Sequence, residues 1–301
     1  MVSVILPNYN HAPFLKQRIE SILNQTHQDF ELIILDDNSS DNSKEIIEEY
    51  RGNKHISKIV YNETNTGSPF RQWTKGISMA KGEYIWIAES DDYSEPTFLQ
   101  QMMETITKQN AILGFCLSNV VDKEGNIKSK RTPVMETEAL DNRTFTSRFL
   151  LFNNNIYNAS SVIFKKSCVE KIDWTPIIQK RYSGDWLFWA TLLLNNNGAV
   201  CEVKEHLNNY RMHDMNVSNN SQKKGLDFLE GFPISVHVAD TLHIKRDSFF
   251  TQTWVHICRT YIRNFNIRKD IQIKIWVLFA RLQPQVIPYI LKQAINKILR
   301  K

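Results

Sequence analysis

With 301 residues, 42% of them hydrophobic, the chain can bury a substantial core as one large domain or as one domain with an appendage. Cys116, Cys168, Cys201 and Cys258 stand apart with no CxxC pair, which argues against a disulfide framework and a zinc site and fits a reducing compartment. The formal charge of +5 is uneven: twelve Lys or Arg and only Asp247 and Asp270 lie from Lys245 onward, leaving 25 basic and 30 acidic residues before it, so a body at −5 carries a tail at +10.

The first segment, Val2 to Leu6, is apolar and reads as a buried strand, followed by a turn Pro7-Asn8-Tyr9-Asn10. No basic leader with a long apolar stretch precedes it, so no signal peptide is expected, and no uncharged apolar run reaches membrane-spanning length. Pro13 can open a helix whose apolar face holds Phe14, Ile19, Ile22 and Leu23. Phe30 to Leu35 predicts a second strand ending in Asp36-Asp37-Asn38-Ser39-Ser40-Asp41, and Ile46, Ile47 and Tyr50 mark a helix. Ile56 to Tyr61 predicts a third strand, and a helix covers about Pro69 to Ala80 after Gly67. Tyr84 to Ala88 reads as a central strand buried on both faces. Such alternation predicts a doubly wound, mostly parallel α/β sheet with right-handed crossovers.

Beyond Pro96 come a helix and an apolar strand, Ile112 to Val121; residues 122–142 read as loop or hairpin and Phe145 to Phe152 as helical. Ala159 to Phe164 predicts a strand, Trp186 to Leu194 an apolar helix, and Ala199 to Val203 and Leu207 to Arg211 short strands. Asp214 to Lys224 is Asn/Ser-rich and reads as a mobile loop, a candidate lid. The expected division is 1–224 as the α/β domain and 225–301 as a basic helical extension.

Two strand ends of one parallel sheet carry acids, Asp36-Asp37 and Glu89-Ser90-Asp91-Asp92, and ligands bind along that edge of open α/β sheets. Crowded carboxylates stay ionised only when something positive compensates them, and a hard cation such as Mg²⁺ or Mn²⁺ would do so. The other reading of the second cluster is an acidic turn capping the next helix from Asp92 or Ser94. Tyr9 can stack on a base or lie half-buried in its turn. Arg71 and Lys75 can reach phosphate or form a solvated face.

LPNYN after the first strand, LDDNSSD after the second, AKGEYIWIAESDD at the fourth and SGDWLFW further on resemble inverting glycosyltransferases of family 2, which have the GT-A fold. The resemblance covers roughly residues 1–220. It implies transfer of a sugar from a nucleotide-sugar, a UDP-sugar favoured, to an acceptor hydroxyl, with Mn²⁺ or Mg²⁺ and with inversion. Carried over, Pro7, Tyr9, Asp36, Asp37, Glu89, Ser90 and Asp92 would serve the nucleotide and donor. Glu89-Ser90-Asp91 would be the DxD motif, with Glu for its usual first Asp and Asp91 as the main metal ligand. His213 would add a metal or diphosphate contact. Asp185 would be the catalytic base; members often have Glu before it, where this chain has Gly184. The Q-x-x-R-W motif of processive members is absent, which implies one sugar per encounter.

Two other classes bear comparison. A sugar-nucleotide pyrophosphorylase would need a Gly-rich phosphate loop, and LPNYNHAPF has no glycine. A catalytically inactive, membrane-attached scaffold would not need Asp91 and Asp185. In the tail, Ile271 to Leu282 is strongly apolar, and Ile290, Leu291, Ala294, Ile295 and Ile298 recur at helical spacing with Lys292 and Lys297 mainly opposite. That makeup fits an interfacial helix on an anionic membrane, or a helical subdomain packed on the body. The expected partners are thus the nucleotide-sugar, a glycan or lipid-linked acceptor and an anionic membrane rather than nucleic acid. The expected place is the cytoplasmic face, in envelope polysaccharide synthesis.

Overall fold

The structure, a computed structural model, describes residues 1–213 and 225–299, with side chains described as far as 292. The candidate lid, residues 214–224, lies outside the described residues.

The chain forms two compact units. In the first, strands β1 (Val2–Asn8), β2 (Phe30–Asp36) and β3 (Ile56–Tyr61) alternate with helices α1 (Ala12–Leu23), α2 (Ser43–Glu49) and α3 (Pro69–Met79). They are followed by β4 (Tyr84–Ile87), the two-residue β5 (Tyr93–Ser94), α4 (Phe98–Lys108) and the long β6 (Ala111–Val121). Next come β7 (Ile127–Lys130), β8 (Ala139–Asp141), α5 (Asn142–Phe145), β9 (Val162–Lys165), α6 (Thr175–Ile178), α7 (Gly184–Leu194) and β10 (Ala199–Arg211).

The sheet order is β3-β2-β1-β4-β9-β6-β10-β5, with β7 on β6 and β8 on β10. Strands β1 to β4 pair in parallel, and so do β6 and β10. Between these halves β9 runs antiparallel to both β4 and β6. The expected mostly parallel sheet is therefore a mixed one, with β9 reversed at its middle. A short 3₁₀ turn, Ala159–Ser161, replaces the start of the expected Ala159–Phe164 strand, and β9 begins only at Val162. The two short strands expected at 199–203 and 207–211 are one strand with bulges near His206. The helix expected over 145–152 is the single turn α5 followed by a π turn, Thr146–Leu150.

Ile85, Trp86, Ile87 and Ala88 are fully buried, as their unbroken apolar run requires. Trp86 stacks on Phe98 of α4 at 4.4 Å between ring centroids. On the other face α3 lies close to β1 because Gly76 has no side chain; a Cβ there would stand 2.3 Å from Ile5 Cγ2.

The second unit joins residues 146–154 to the helices α8 (Leu226–Thr241), α9 (Ser248–Phe265), α10 (Lys269–Leu282) and α11 (Val286–Leu299). Its segments therefore begin earlier in the chain than the expected 225–301 extension. Trp254 is its centre, packed against Phe228, Phe232 and Phe152, with its Nε1 donating to Ser235 Oγ at 2.9 Å. Asp247 caps α9 by accepting from the Phe249 and Phe250 amides.

Substituting Gly76→Ala should lower stability by about 1–3 kcal/mol despite alanine's better helix propensity, because the methyl overpacks Ile5. In chemical denaturation, combination with Ile5→Ala should cost less than the sum of the two single changes.

Candidate active site at the carboxyl end of strand β4

Strand β4 stops at Ile87, and the chain turns through Glu89-Ser90-Asp91-Asp92 before β5 pairs antiparallel with Asn208 and Asn209 of β10. The acidic turn is therefore held from both sides. Helix α4 begins only at Phe98, so neither Asp92 nor Ser94 caps it. Asp92 is buried; its Oδ2 accepts from Asn158 Nδ2 at 2.7 Å and its Oδ1 from the Arg211 amide at 2.9 Å. Arg211 Nε donates to the Asp91 carbonyl at 2.9 Å, and its Nη1 to the Lys123 carbonyl at 2.7 Å. The end of β10 is thus bonded to the acidic turn, and two residues later His213 Nε2 lies 3.0 Å from Asp91 Oδ2. Sequence position alone had separated these two candidates by 122 residues.

His11 joins them. It stands just before α1, its Nδ1 is 2.8 Å from Ser90 Oγ, and its ring meets His213 edge-on at 5.5 Å between centroids. One ligand atom from each of His11, Asp91 and His213 lies within 4.8 Å of the others. One carboxylate and two imidazoles so placed fit a divalent cation.

The electrostatics follow from burial. Burial, then the charge of Asp91, pushes Glu89 up to about 8 against a hydrogen bond from Trp73 Nε1 at 2.8 Å. Burial and Asp91 likewise push Asp92 up to about 7, against the opposing charge of Arg18. Burial raises Asp91 too, but the hydrogen bond with His213 and the fields of His11 and His213 outweigh it and hold it below its ordinary value. Burial lowers His11 more than Asp91 raises it, favouring the neutral ring. Beneath the cluster, Arg18 is fully buried, 5.0 Å over the Trp86 ring, and its guanidinium nitrogens make no hydrogen bond among the described residues. Burial lowers it to about 10, with Asp92, Asp91 and Glu89 opposing. It compensates the carboxylates as a field rather than as a bonded partner.

The acids after β2 are placed differently. Asp36 accepts from Asn8 Nδ2, Ser39 Oγ and the Ser39 amide, and Asp37 accepts from Asn62, Thr66 and Gln72. Both are buried and tie the loops after β1, β2 and β3 together. Pro7 lies within β1, opposite Leu35, and not in a turn. Tyr9 is 48% exposed at the end of β1, open to a planar ligand. Lys75 Nζ bonds Asn62 Oδ1, which takes it from the solvated face, whereas Arg71 is exposed.

Asp185 lies in the first turn of α7, where the helix dipole favours a negative charge, and its Oδ1 accepts from the Trp186 amide at 2.8 Å. The preceding Gly184 has a steric cause: a Cβ there would stand 2.3 Å from the Phe70 ring, so glutamate has no room. Phe70 packs on Trp73 at 5.0 Å, and Trp73 is the residue bonded to Glu89. One aromatic cluster thereby supports both α7 and the acidic turn.

Sequence reasoning missed His11, Arg18, Trp73, Asn158 and Arg211. Arg18 alone left a local signal, a charge in the buried stripe Leu15, Ile19, Ile22.

Comparison with known proteins identifies the family. The chain is 25% identical over 267 residues, 87% of its own length and 80% of the relative's, to the GalNAc(5)-diNAcBac-PP-undecaprenol beta-1,3-glucosyltransferase of Campylobacter jejuni. It is 30% identical over 201 residues to the poly(ribitol-phosphate) beta-N-acetylglucosaminyltransferase TarP of Staphylococcus aureus, covering 65% of this chain and 58% of TarP, less than two thirds of that relative. The crystal structure of S. aureus TarS 1–349 in complex with UDP-GlcNAc has a TM-score of 0.68 at 18% identity, over 93% of this chain and 80% of that one, which shows a shared fold. The model of the family described as glycosyl transferase family 2 matches residues 3–173, more than half of the chain, and the chain belongs to that family.

Proposed function

We propose that this glycosyltransferase moves a sugar from a UDP-sugar to a hydroxyl of a glycan or lipid-linked acceptor, with inversion and with a divalent cation, in cell-envelope polysaccharide synthesis. The observation that carries the reading is the meeting of Asp91 with His213, and of both with His11, at the carboxyl end of a central strand. The donor in the TarS complex and the acceptors named for TarP and the Campylobacter enzyme support the substrate classes.

In this reading Asp91 and His213 hold the cation. When bound, the cation supplies charge that neutralises the leaving diphosphate. Tyr9 stacks on the base. Pro7, Asp36 and Asp37 shape the nucleoside side through the loops they fix, and Glu89, Ser90 and Asp92 border the donor. Asp185 accepts the acceptor's proton as its oxygen bonds to the anomeric carbon and the bond from that carbon to the diphosphate oxygen breaks.

The tail reading has support in the second unit. Helix α10 buries Ile275 and Phe279 and exposes Ile273 (64%) and Val277 (62%), one turn apart. On α11, Ile287 (52%) and Leu291 (58%) repeat that spacing, with Lys292 exposed beside them. Among the described residues no helix is long and apolar enough to cross a membrane. The exposed apolar pairs with basic neighbours suit an anionic surface, and we place the protein peripherally on the cytoplasmic face.

Three measurements check this reading. Asp91→Asn should lose UDP binding in the presence of Mn²⁺ with the fold intact, whereas Asp185→Asn should retain it and lose turnover by roughly 10²–10⁴; calorimetry showing unchanged UDP affinity in Asp91→Asn, or full turnover in Asp185→Asn, refutes the respective role. NMR of the product should show inverted anomeric configuration.

The second is pH dependence without metal. Glu89 and Asp92 have folded pKa values of about 8 and about 7, above their unfolded values near 4. Their contribution to stability is full below about pH 4 and is lost as pH rises through 7 and 8. The metal-free melting temperature should therefore fall between pH 6 and 9. Mn²⁺ should raise it most at the alkaline end, since binding displaces protons.

The third is co-sedimentation with anionic liposomes at low salt. Ile273→Glu with Val277→Glu should abolish it at unchanged melting temperature. Equal sedimentation of variant and wild type counts against the membrane face.

A further inference from the structure

We propose that His11 is a third protein ligand, beside Asp91 and His213, in a site that takes a first-row transition-metal cation before any nucleotide binds. The inference rests on the metal-assisted reading above and deepens it: two protein ligands would leave the nucleotide diphosphate to complete the binding, whereas three make a site on their own.

The placement is specific. His11 occupies the position before α1 that commonly caps a helix, yet its side chain makes no capping bond. Its ring turns instead toward the acidic turn, where Nδ1 meets Ser90 Oγ at 2.8 Å. With Nδ1 donating to that hydroxyl, the lone pair is on Nε2. A ring nitrogen anchored to an oxygen while the other ligates is the usual arrangement of metal-binding histidine. Ser90, the middle residue of Glu89-Ser90-Asp91, thereby acquires a role that differs from donor contact: it orients a ligand. The Phe14 ring lies 6.2 Å from His11 and 5.0 Å from His213 and backs both imidazoles. The chain enters α1 through Asn10, whose φ of 55° is one that asparagine tolerates and whose Oδ1 accepts from the Ser40 amide at 2.8 Å. His11 is thus held from the β2 loop as well as from Ser90. The three ligand atoms, within 4.8 Å of one another, need only a small contraction to meet one ion. Two imidazoles and one carboxylate favour Mn²⁺, Co²⁺ or Zn²⁺; Mg²⁺ prefers oxygen and retains its waters.

The test uses the full chain, stripped of metal and free of nucleotide. Titration with Mn²⁺, followed by loss of the free-ion EPR signal, should show one bound Mn²⁺ per chain. An equal concentration of Mg²⁺ should leave it bound. Pulsed EPR should show nitrogen couplings from two imidazoles. His11→Gln should weaken Mn²⁺ binding by about tenfold or more, with one imidazole remaining. Ser90→Ala should weaken it less and keep both couplings. Coupling to a single imidazole in the wild type, which needs no variant, would overturn the proposal. So would wild-type affinity in His11→Gln, displacement by Mg²⁺ at parity, or Mn²⁺ binding only when UDP is present. In that last case loss of UDP binding in Asp91→Asn would still uphold the metal-assisted reading, so the two fail separately.

Discussion

Three carboxylates share the end of one buried strand, and most of the first unit is arranged to make that possible. Glu89, Asp91 and Asp92 cannot all be ionised at neutral pH away from water without compensation. Three devices divide the problem. Arg18 supplies a positive field from below, without a hydrogen bond among the described residues. The hydrogen bond with His213 holds Asp91 in its charged form. Asp92 is bound to the Arg211 amide and to Asn158, and so links β4 to β10. The same charge that demands compensation makes the site receptive to a cation.

That linkage explains the antiparallel strand in the middle of the sheet. With β9 between β4 and β6, the neighbouring 3₁₀ turn comes up beside the acidic turn, and Ser160 bonds both the strand and the turn: its carbonyl accepts from Trp86 Nε1 at 2.8 Å, and its hydroxyl from the Glu89 amide at 3.2 Å. A parallel strand at this place would point its opposite end toward the acids. Strand β10, beyond β6, then runs parallel to β6 and delivers Arg211 and His213 to the same edge.

The acids of the two strand ends divide the labour by their surroundings. Asp36 and Asp37 are saturated by hydrogen bonds from neighbouring loops, and their work is to hold backbone. The acids after β4 face each other and two histidines. Similar residue types therefore serve as scaffold in one place and as candidate chemistry in the other.

Much was readable from the sequence because it depends on local pattern. The run Tyr84–Ala88 is too apolar for anything but a strand covered on both faces, and the alternation before it leaves few topologies. The motifs around Asp37, Asp91 and Asp185 pointed to family 2 by the same local logic. What tertiary structure alone decided is what depends on distance in space. The reversal of β9, the close approach of Phe70 that leaves no room for a Cβ at Gly184, the descent of Arg18 onto Trp86 and the meeting of His11 with His213 join residues tens to hundreds of positions apart. No period or spacing records such contacts, because packing is chosen by the whole core at once, and a histidine before a helix looks the same whether it caps that helix or turns toward a distant aspartate.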